Sequence, residues 1–299
     1  MVLSNDNVIE IQVMGGLGNQ LHCLAAGIVI ANHLRLKFLI NTERVKFGSN
    51  MSRKSELETI YFPNSDDYLK TKILTNMNFK YSYEVIRRKS RGILPISNFM
   101  AEPDYFDSGS NVNEQILAIP KTTRSVGGPF IDFEWADRAV DFGFPSELVP
   151  RSPSNDYESH LSKIDDLSIA LHVRLGDYLD LREIFPIVTE DYYLESLDLL
   201  KVGQERRLHV FTDSPELVHD FLPKLFKTRN VEIIDPELRM KPVEVMSSMS
   251  KYPYLITSNS TFSSWAGWFS PRKKVVTPTP HLKHNWIDRL PRHWLSLPL

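Results

Sequence analysis

The chain has 299 residues, 42% of them hydrophobic and 24% charged, a balance typical of soluble globular proteins and long enough for two domains of about 150 residues each. The formal net charge of −2 argues against a dedicated nucleic-acid-binding protein, because such proteins usually carry a strong basic excess. A single cysteine, Cys23, excludes an internal disulfide framework, and the absence of a membrane-length apolar run or a basic signal region predicts a cytoplasmic protein.

The first half opens with the order strand, glycine-rich turn, helix. An apolar strand predicted over Val8–Met14 runs into Gly15-Gly16-Leu17-Gly18-Asn19-Gln20, and a helical pattern follows from Leu21 to His33. A further strand is predicted over Lys37–Asn41. This order is typical of a Rossmann-like unit.

The glycine-rich turn matches neither of the common nucleotide motifs. Leu21 stands where a dinucleotide fingerprint needs a third glycine, and the Lys-Ser or Lys-Thr that ends a triphosphate-binding loop is absent. Backbone N–H groups at a helix N-terminus still favour an anion. The turn therefore has two interpretations: a tight turn that needs glycine for its backbone, or a donor- or acceptor-binding site made by Gly16, Gly18, Asn19 and Gln20.

The middle of the chain has weak periodicity from about Arg44 to Ala118. The basic cluster Arg87–Arg91 is interpreted either as solvated surface or as a contact for an anionic acceptor or a membrane. A segment rich in proline and serine, from about Phe144 to Asp156, predicts a linker. It divides the chain into predicted domains 1–155 and 156–299.

The second half alternates strands and helices, which predicts a parallel sheet covered by helices on both faces. The predicted strands are Ser168–Val173, Leu208–Thr212, Val231–Ile234, Tyr254–Thr257 and Lys274–Thr277. The predicted helices are Glu190–Lys201, Pro215–Leu225, Pro242–Lys251 and Phe262–Phe269. Together the halves predict an α/β protein of two Rossmann-like domains whose parallel sheets face a cleft.

Polar side chains follow three of these strands, where open α/β sheets bind their ligands. His172, Arg174 and Asp177 come at the end of the first strand, Asp213 follows the second, and Asn259-Ser260-Thr261 lies between a strand and a helix. A guanidinium beside a helix N-terminus suits a diphosphate. The alternative is structural: an ion pair between Arg174 and Asp177, a core histidine, and helix caps.

Four blocks, in order, carry a family resemblance: Gly15–Leu21, His172–Tyr178, Val210–Asp213 and Leu255–Trp268, with a similar ending at Leu290–Trp294. They resemble the α-1,2-fucosyltransferases of glycosyltransferase family 11. The resemblance implies a GT-B-like enzyme that moves L-fucose from GDP-β-L-fucose to the 2-hydroxyl of a galactoside, with inversion and without a metal. We expect 1–155 to bind a galactose-terminated oligosaccharide and 156–299 to bind the GDP-sugar, with Arg174 neutralising the diphosphate.

The sequence departs from the family pattern at three positions. Leu175 replaces the usual second arginine of the His-x-Arg-Arg-Gly-Asp block, and Ser264 stands where a tryptophan is common. Val245 occupies the position of an acidic residue that reads guanine, so the adjacent Glu244 becomes the candidate.

The catalytic assignments follow from the chemistry of a departing nucleotide. The chain contains no Asp-x-Asp pair, which usually holds a metal in such enzymes, so Arg174 is expected to stabilise the leaving group. Asp177 is the first candidate for the base, with Glu183 and Asp180 behind it. No metal site is expected from His281, His284 and His293.

The last thirty residues combine tryptophans with positive charge, six basic residues against Asp288. Either these charges are solvated, or they dock the protein peripherally on the inner membrane face, near a lipid-linked glycan. The basic residues are Arg272, Lys273, Lys274, Lys283, Arg289 and Arg292, and the tryptophans are Trp286 and Trp294.

Two further functions stay open. One is a transferase that makes another linkage or uses another GDP-sugar. The other is a catalytically idle protein that binds nucleotide sugars or glycans.

Overall fold

The computed structural model describes residues 8–42, 45, 55–61, 100–101, 111–121, 123, 125–128, 130–270, 274–281 and 289–299. The chain forms two compact units. The first comprises Met1–Ser55, Pro63–Phe130 and Trp135–Phe144, and the second comprises Glu56–Phe62, Ile131–Glu134 and Pro145–Leu299. The second unit therefore contains most of the predicted linker, while the roles predicted for 1–155 and 156–299 stay predictions.

The first unit contains a parallel sheet with the strand order β2-β1-β5-β4. Its strands are β1 (Val8–Gln12), β2 (Lys37–Asn41), β4 (Met100–Ala101) and β5 (Ser125–Gly127). Helix α1 (Leu17–His33) crosses β1 closely, since a Cβ on Gly27 would lie 2.4 Å from Cδ1 of Ile11. Two shorter helices follow in the chain, α2 (Val112–Leu117) and α3 (Phe133–Val140), and the first unit includes α3 from Trp135 onward.

Helix α1 begins four residues earlier than predicted, because the turn before it is shorter than its glycines suggested. Gly15 makes the turn with a φ of 70°, and Gly16 is the extended N-cap residue. Gly18, Asn19 and Gln20 therefore lie in the first turn of the helix.

The second unit is built on a six-stranded parallel sheet with the order β12-β11-β10-β7-β8-β9. Its strands are β7 (Ser168–Val173), β8 (Arg207–Thr212), β9 (Asn230–Ile233), β10 (Tyr254–Ile256), β11 (Lys274–Thr279) and β12 (Leu295–Pro298). The first five match the predicted strands to within one or two residues. β12 was not predicted because it is short, mostly exposed and contains a proline. A separate antiparallel pair joins β3 (Ile60–Tyr61) to β6 (Val149–Pro150).

Six helices accompany these strands in the second unit's described residues: α4 (Asn155–Leu161), α5 (Glu190–Leu200), α6 (Pro215–Phe221), α7 (Pro223–Thr228), α8 (Pro242–Ser250) and α9 (Thr261–Trp268). The single helix predicted over Pro215–Leu225 is divided at Leu222, because Pro223 disfavours helical geometry in the residue before it. α4 begins at the end of the segment predicted to be a linker, and its N-cap Ser154 accepts a hydrogen bond from the backbone of Tyr157.

The strand order places a switch point between β7 and β10. From β7 the chain builds outward through β8 and β9, then returns to the other side of β7 and continues through β10, β11 and β12. β7 can occupy the centre because all six of its side chains are buried, in contact with a core that includes Tyr193 and Leu197 of α5. At a switch point neighbouring connections diverge, which opens a crevice at the carboxyl ends of the strands.

Across the described ranges, no helix combines the length and apolarity needed to cross a bilayer.

Candidate active site

The candidate site lies at the carboxyl ends of three adjacent strands of the second sheet. Arg174 follows β7, Asp213 follows β8, and the turn 257–260 joins β10 to α9. Because β8, β7 and β10 are parallel neighbours, the residues that follow them meet at one edge. The switch point between β7 and β10 lies within this group.

Two adjacent tyrosines of α5 hold the carboxyl ends of β7 and β10. The hydroxyl of Tyr193 donates to the carbonyl of His172 at 2.9 Å, and that of Tyr192 donates to the carbonyl of Thr257 at 2.9 Å. One helix therefore holds the ends of both β7 and β10, so the distance between the two strand ends is set by the core rather than by the loops.

Arg174 is held by two carboxylates. Its Nη1 lies 2.8 Å from Oδ2 of Asp213, and its Nη2 donates to Oδ1 of Asp177 at 2.6 Å. Its guanidinium carbon lies 5.5 Å from the ring centroid of Tyr178, in a cation–π contact. The Arg174–Asp177 ion pair, one of the two interpretations of the sequence, is thus present, and Arg174 still reaches the predicted edge of the sheet.

Asp213 also organises the backbone around Arg174. Its Oδ1 accepts from the N–H of Leu175 at 3.0 Å, while Oγ of the next residue, Ser214, accepts from the N–H of Gly176 at 3.2 Å. Gly176 lies so close that a Cβ there would be 2.2 Å from Oδ2 of Asp213. Ser214 is the N-cap residue of helix α6, but its hydroxyl makes no capping hydrogen bond. Asp213 and Ser214 therefore hold the backbone after β7 rather than the start of α6.

His172 connects β7 to the turn before α9. Its Nδ1 lies 2.8 Å from Oγ of Ser258, and its ring lies 5.7 Å from that of Phe262. Burial, and secondarily the charge of Arg174, lowers the pKa of His172 to about 3. His172 is therefore neutral at physiological pH and adds no positive charge to the site; its predicted contact with the donor stays a prediction.

The turn Asn259-Ser260-Thr261 is braced from both sides. Asn259 is buried, and its Nδ2 donates to the carbonyls of Pro186 at 2.7 Å and His281 at 3.3 Å. Ser260 caps α9 by accepting from the N–H of Phe262 at 3.3 Å, and Thr261 is the first helical residue. The bracing directs the N-terminus of an eight-residue helix to the same edge as Arg174, an arrangement that favours an anion.

Tyr178 belongs to the site, although no role was predicted for its side chain. Its ring stacks on Phe185 at 4.2 Å, and its hydroxyl donates to the carbonyl of Asn259 at 3.4 Å. Burial is the main reason that its pKa rises to about 12, so the hydroxyl stays protonated. The sequence feature that could have indicated this role is the spacing of Tyr178, four residues after Arg174 in a tight turn, because side chains at this spacing lie close together.

Glu244 has a structural role in the described contacts. The residue is completely buried, and its carboxylate accepts from the N–H of Lys241 at 2.7 Å and from the N–H of Ser154 at 2.7 Å. It therefore caps α8 and attaches the start of α4. Nothing in these contacts favours the prediction that Glu244 reads guanine.

The glycine-rich turn of the first unit is held internally. Gln20 is completely buried, and its Nε2 donates to the carbonyl of Gly15 at 3.0 Å. Gly18 is also buried, whereas Gly16 and Asn19 are partly exposed. The contact of Gln20 supports the tight-turn interpretation, and a role for these four residues in donor or acceptor binding stays a prediction.

The remaining candidates lie partly outside the described residues. The basic cluster Arg87–Arg91 and His284 lie outside the described residues. So does most of the C-terminal basic and tryptophan-containing segment: Arg272, Lys273, Lys283, Trp286 and Asp288. Within the described part of the chain, no group of three or more His, Cys, Asp or Glu side chains is arranged to hold a metal ion.

No family model and no curated protein matches the sequence. Solved structures do match. A mutant of Arabidopsis thaliana FUT1 in complex with GDP is 13% identical, with 95% of this chain and 74% of that chain covered and a TM-score of 0.51. The fucosyltransferase NodZ from Bradyrhizobium is 15% identical, with 95% and 99% covered and a TM-score of 0.51.

A third match, POFUT1 in complex with GDP, is 11% identical, with 98% of both chains covered and a TM-score of 0.51. Similarity at these identities establishes the fold alone. The chain has the α/β, GT-B fold with parallel sheets. Within that class, its fold is the one shared by these three fucosyltransferases.

Proposed function

We propose that the protein is a fucosyltransferase that moves L-fucose from GDP-β-L-fucose to the 2-hydroxyl of a galactoside, with inversion. The observation that carries the proposal is Arg174 at the switch point of the second sheet, beside the N-terminus of α9. Structures of the same fold support it, since FUT1 and POFUT1 are in complex with GDP and a NodZ crystal was soaked with GDP-fucose.

In the proposed reaction the donor's diphosphate lies between Arg174 and the N-terminus of α9. The bond from the fucose carbon to the phosphate oxygen breaks, and GDP leaves with the electron pair. Negative charge therefore grows on the diphosphate in the transition state, where a fixed cation is most effective; removing one such donor costs about 3 kcal/mol.

Asp177 is proposed as the base. Its carboxylate would take the proton of the attacking hydroxyl while that oxygen bonds to the fucose carbon from the opposite face. Asp177 lies at the same sheet edge as Arg174, in the turn that directly follows it. Glu183 and Asp180 lie a few residues further in the same loop and are the alternatives.

Leu175 makes this site more dependent on Arg174 than a site with two adjacent arginines. The backbone N–H groups of Leu175 and Gly176 are already bonded to Asp213 and Ser214. The hydroxyls of Ser260 and Thr261 and the N–H groups of α9 are the remaining donors proposed for the diphosphate. The co-substrate is GDP-fucose, and the proposal needs no metal.

The acceptor and the linkage rest on the family resemblance. We propose a galactose-terminated oligosaccharide, bound by the first unit, with contact to an anionic membrane surface if the glycan is lipid-linked. The runner-up is a transferase that uses another GDP-sugar or makes another linkage. A catalytically idle binding protein is the third possibility, favoured by the ion pairs that neutralise Arg174.

One assay separates the three functions. The protein is incubated with GDP-fucose, GDP-mannose or UDP-galactose and a panel of galactosides, with and without EDTA, and released nucleotide and product linkage are measured. Turnover of GDP-fucose alone, unchanged by EDTA and yielding an α-1,2 product, is expected. GDP binding without turnover on any acceptor would instead indicate an idle binding protein.

Arg174→Ala tests the observation that carries the proposal. A loss of about 3 kcal/mol of transition-state stabilisation lowers kcat/KM by roughly two orders of magnitude. Arg182→Ala is the matched control, because Arg182 is exposed in the same loop and contacts the carbonyl of Leu179 through its Nε. Equal activity of both variants would contradict a role for Arg174.

A further inference from the structure

Arg174 is over-neutralised by the carboxylates around it. One guanidinium faces the carboxylates of Asp177 and Asp213, so the group carries a net charge of −1. A diphosphate adds negative charge on each phosphate and would meet repulsion from both carboxylates at short range. Release of one carboxylate from Arg174 would relieve this repulsion.

Asp213 is held from several sides. Besides Arg174 it binds the N–H of Leu175, and it lies against Gly176 with no room for a Cβ. It also follows β8 directly, and Thr212 is paired in register with Val173 of β7. Moving Asp213 would disturb the ends of two central strands.

Asp177 has a more exposed side chain than Asp213. It lies in the short 3-10 turn Gly176–Leu179 rather than at a strand end. Its side chain is 37% exposed, compared with 25% for Asp213. Rotation of its side chain would break the 2.6 Å contact with Nη2 of Arg174 without altering the sheet. The same rotation would expose Nη2, the end of the fork suited to a phosphate oxygen.

We propose that Arg174 exchanges Asp177 for the diphosphate of the donor, while Asp213 stays in place and positions the guanidinium. This inference rests on the proposed function and adds to it the event that prepares the base. While the ion pair is formed, Oδ1 of Asp177 accepts from Nη2 of Arg174 rather than from an acceptor hydroxyl. Donor binding removes the guanidinium from that oxygen and makes it available to the acceptor hydroxyl.

The reaction then balances with the groups already named. The proton of the acceptor hydroxyl passes to Asp177, its oxygen forms the new bond to the fucose carbon, and GDP departs with the electrons of the broken bond. Departure of GDP returns Arg174 to Asp177, and the proton is released to solvent. A productive acceptor complex therefore requires the donor to bind first.

The test measures GDP binding to the full-length protein by isothermal titration calorimetry, separately from turnover. Asp177→Asn removes the competing charge, so GDP is expected to bind about fivefold more tightly, the equivalent of ~1 kcal/mol for a partly exposed ion pair. Turnover of GDP-fucose by the same variant is expected to fall at least a hundredfold because the base is lost. Asp213→Asn is expected to weaken GDP binding, because Arg174 loses the residue that positions it.

Asp180→Asn is the matched binding control. It removes the same charge from the same loop, and Asp180 is exposed and is not one of the two carboxylates that hold Arg174. Its GDP affinity should stay within twofold of the wild type. Asp177→Ala serves as a second variant if Asp177→Asn does not fold, and circular dichroism confirms folding of each.

The outcomes separate this inference from the proposed function. Wild-type protein that does not bind GDP would refute both. Wild-type binding with weaker or unchanged binding by Asp177→Asn would refute the exchange alone. Tighter binding by both Asp177→Asn and Asp213→Asn would show two equivalent competitors and refute the positioning role of Asp213. Tighter binding with full turnover would refute the release of a base.

Discussion

Replacing Gly176 with alanine tests whether the geometry around Arg174 matters for nucleotide binding. A Cβ at this position would lie 2.2 Å from Oδ2 and 3.1 Å from Cγ of Asp213. Gly176 has no positive φ, so an alanine fits its backbone and only the space is lacking. To restore an allowed contact, the carboxylate of Asp213 has to move by about 1 Å.

That movement cannot preserve both bonds of Asp213. The carboxylate is held at 2.8 Å from Nη1 of Arg174 and at 3.0 Å from the N–H of Leu175. Hydrogen bonds to charged groups are worth about 1.5–3 kcal/mol, and the partial exposure of both side chains reduces this to about 1–2 kcal/mol. We therefore expect Gly176→Ala to weaken GDP binding about fivefold to thirtyfold.

The assay is GDP titration by calorimetry, together with the thermal midpoint. Gly203→Ala is the matched control, because its Cβ would lie 2.0 Å from Oε2 of Glu205, an exposed side chain that can rotate away. The control should bind GDP as the wild type does. If folded Gly176→Ala also keeps wild-type affinity, Asp213 does not position Arg174 for the nucleotide, and the reasoning fails.

Three further predictions concern stability and the turn before α9. Glu244→Ala should lower the free energy of unfolding by about 3 kcal/mol, because two backbone N–H groups lose a buried acceptor, and should leave the preference for GDP over ADP unchanged when both are titrated. Ser258→Ala leaves Nδ1 of His172 without its 2.8 Å partner and should cost about 1–3 kcal/mol by denaturant unfolding, whereas Ser258→Thr should restore most of it. Burial lowers the pKa of His160 to about 4, from 6.5 in the unfolded chain, so the unfolded state binds more protons between these values. The free energy of unfolding should therefore fall as the pH drops from 6.5 towards 4. His160→Gln should reduce the slope of unfolding free energy against pH by the equivalent of up to one bound proton. An unchanged slope would contradict the lowered pKa of His160.

The second sheet could be predicted closely from sequence because its signal is local. Each central strand is a mainly apolar segment of three to six residues followed by polar residues, and such segments predict buried parallel strands. The exceptions have local causes as well. Leu222 breaks a helix before Pro223, and β12 is an exposed edge strand without an apolar pattern. The class of fold, and the sheet edge at which the candidate site lies, could therefore be predicted from the sequence.

The contacts between residues of the site could not be predicted from the sequence in the same way. Asp213 contacts the backbone of Leu175 across 38 positions of sequence, and that contact depends on the register between β7 and β8. From the sequence, Asp213 could be interpreted either as a ligand contact or as a helix cap. The structure shows a third role, because Asp213 forms an ion pair with Arg174. Glu244 was selected as the neighbour of a family position, but its burial depends on the packing of α8 against the start of α4.

The placement of Arg174 links the fold to its chemistry. A guanidinium at an isolated strand end would be an ordinary ion pair, since Asp177 alone would satisfy it. At the switch point it has a second carboxylate from β8 on one side and the N-terminus of α9, beyond β10, on the other. The two carboxylates oppose the binding of an anion, whereas the helix N-terminus favours it. An arrangement with both features suits a ligand that displaces a carboxylate, and a diphosphate is such a ligand, because it can replace the bond that Asp177 gives up.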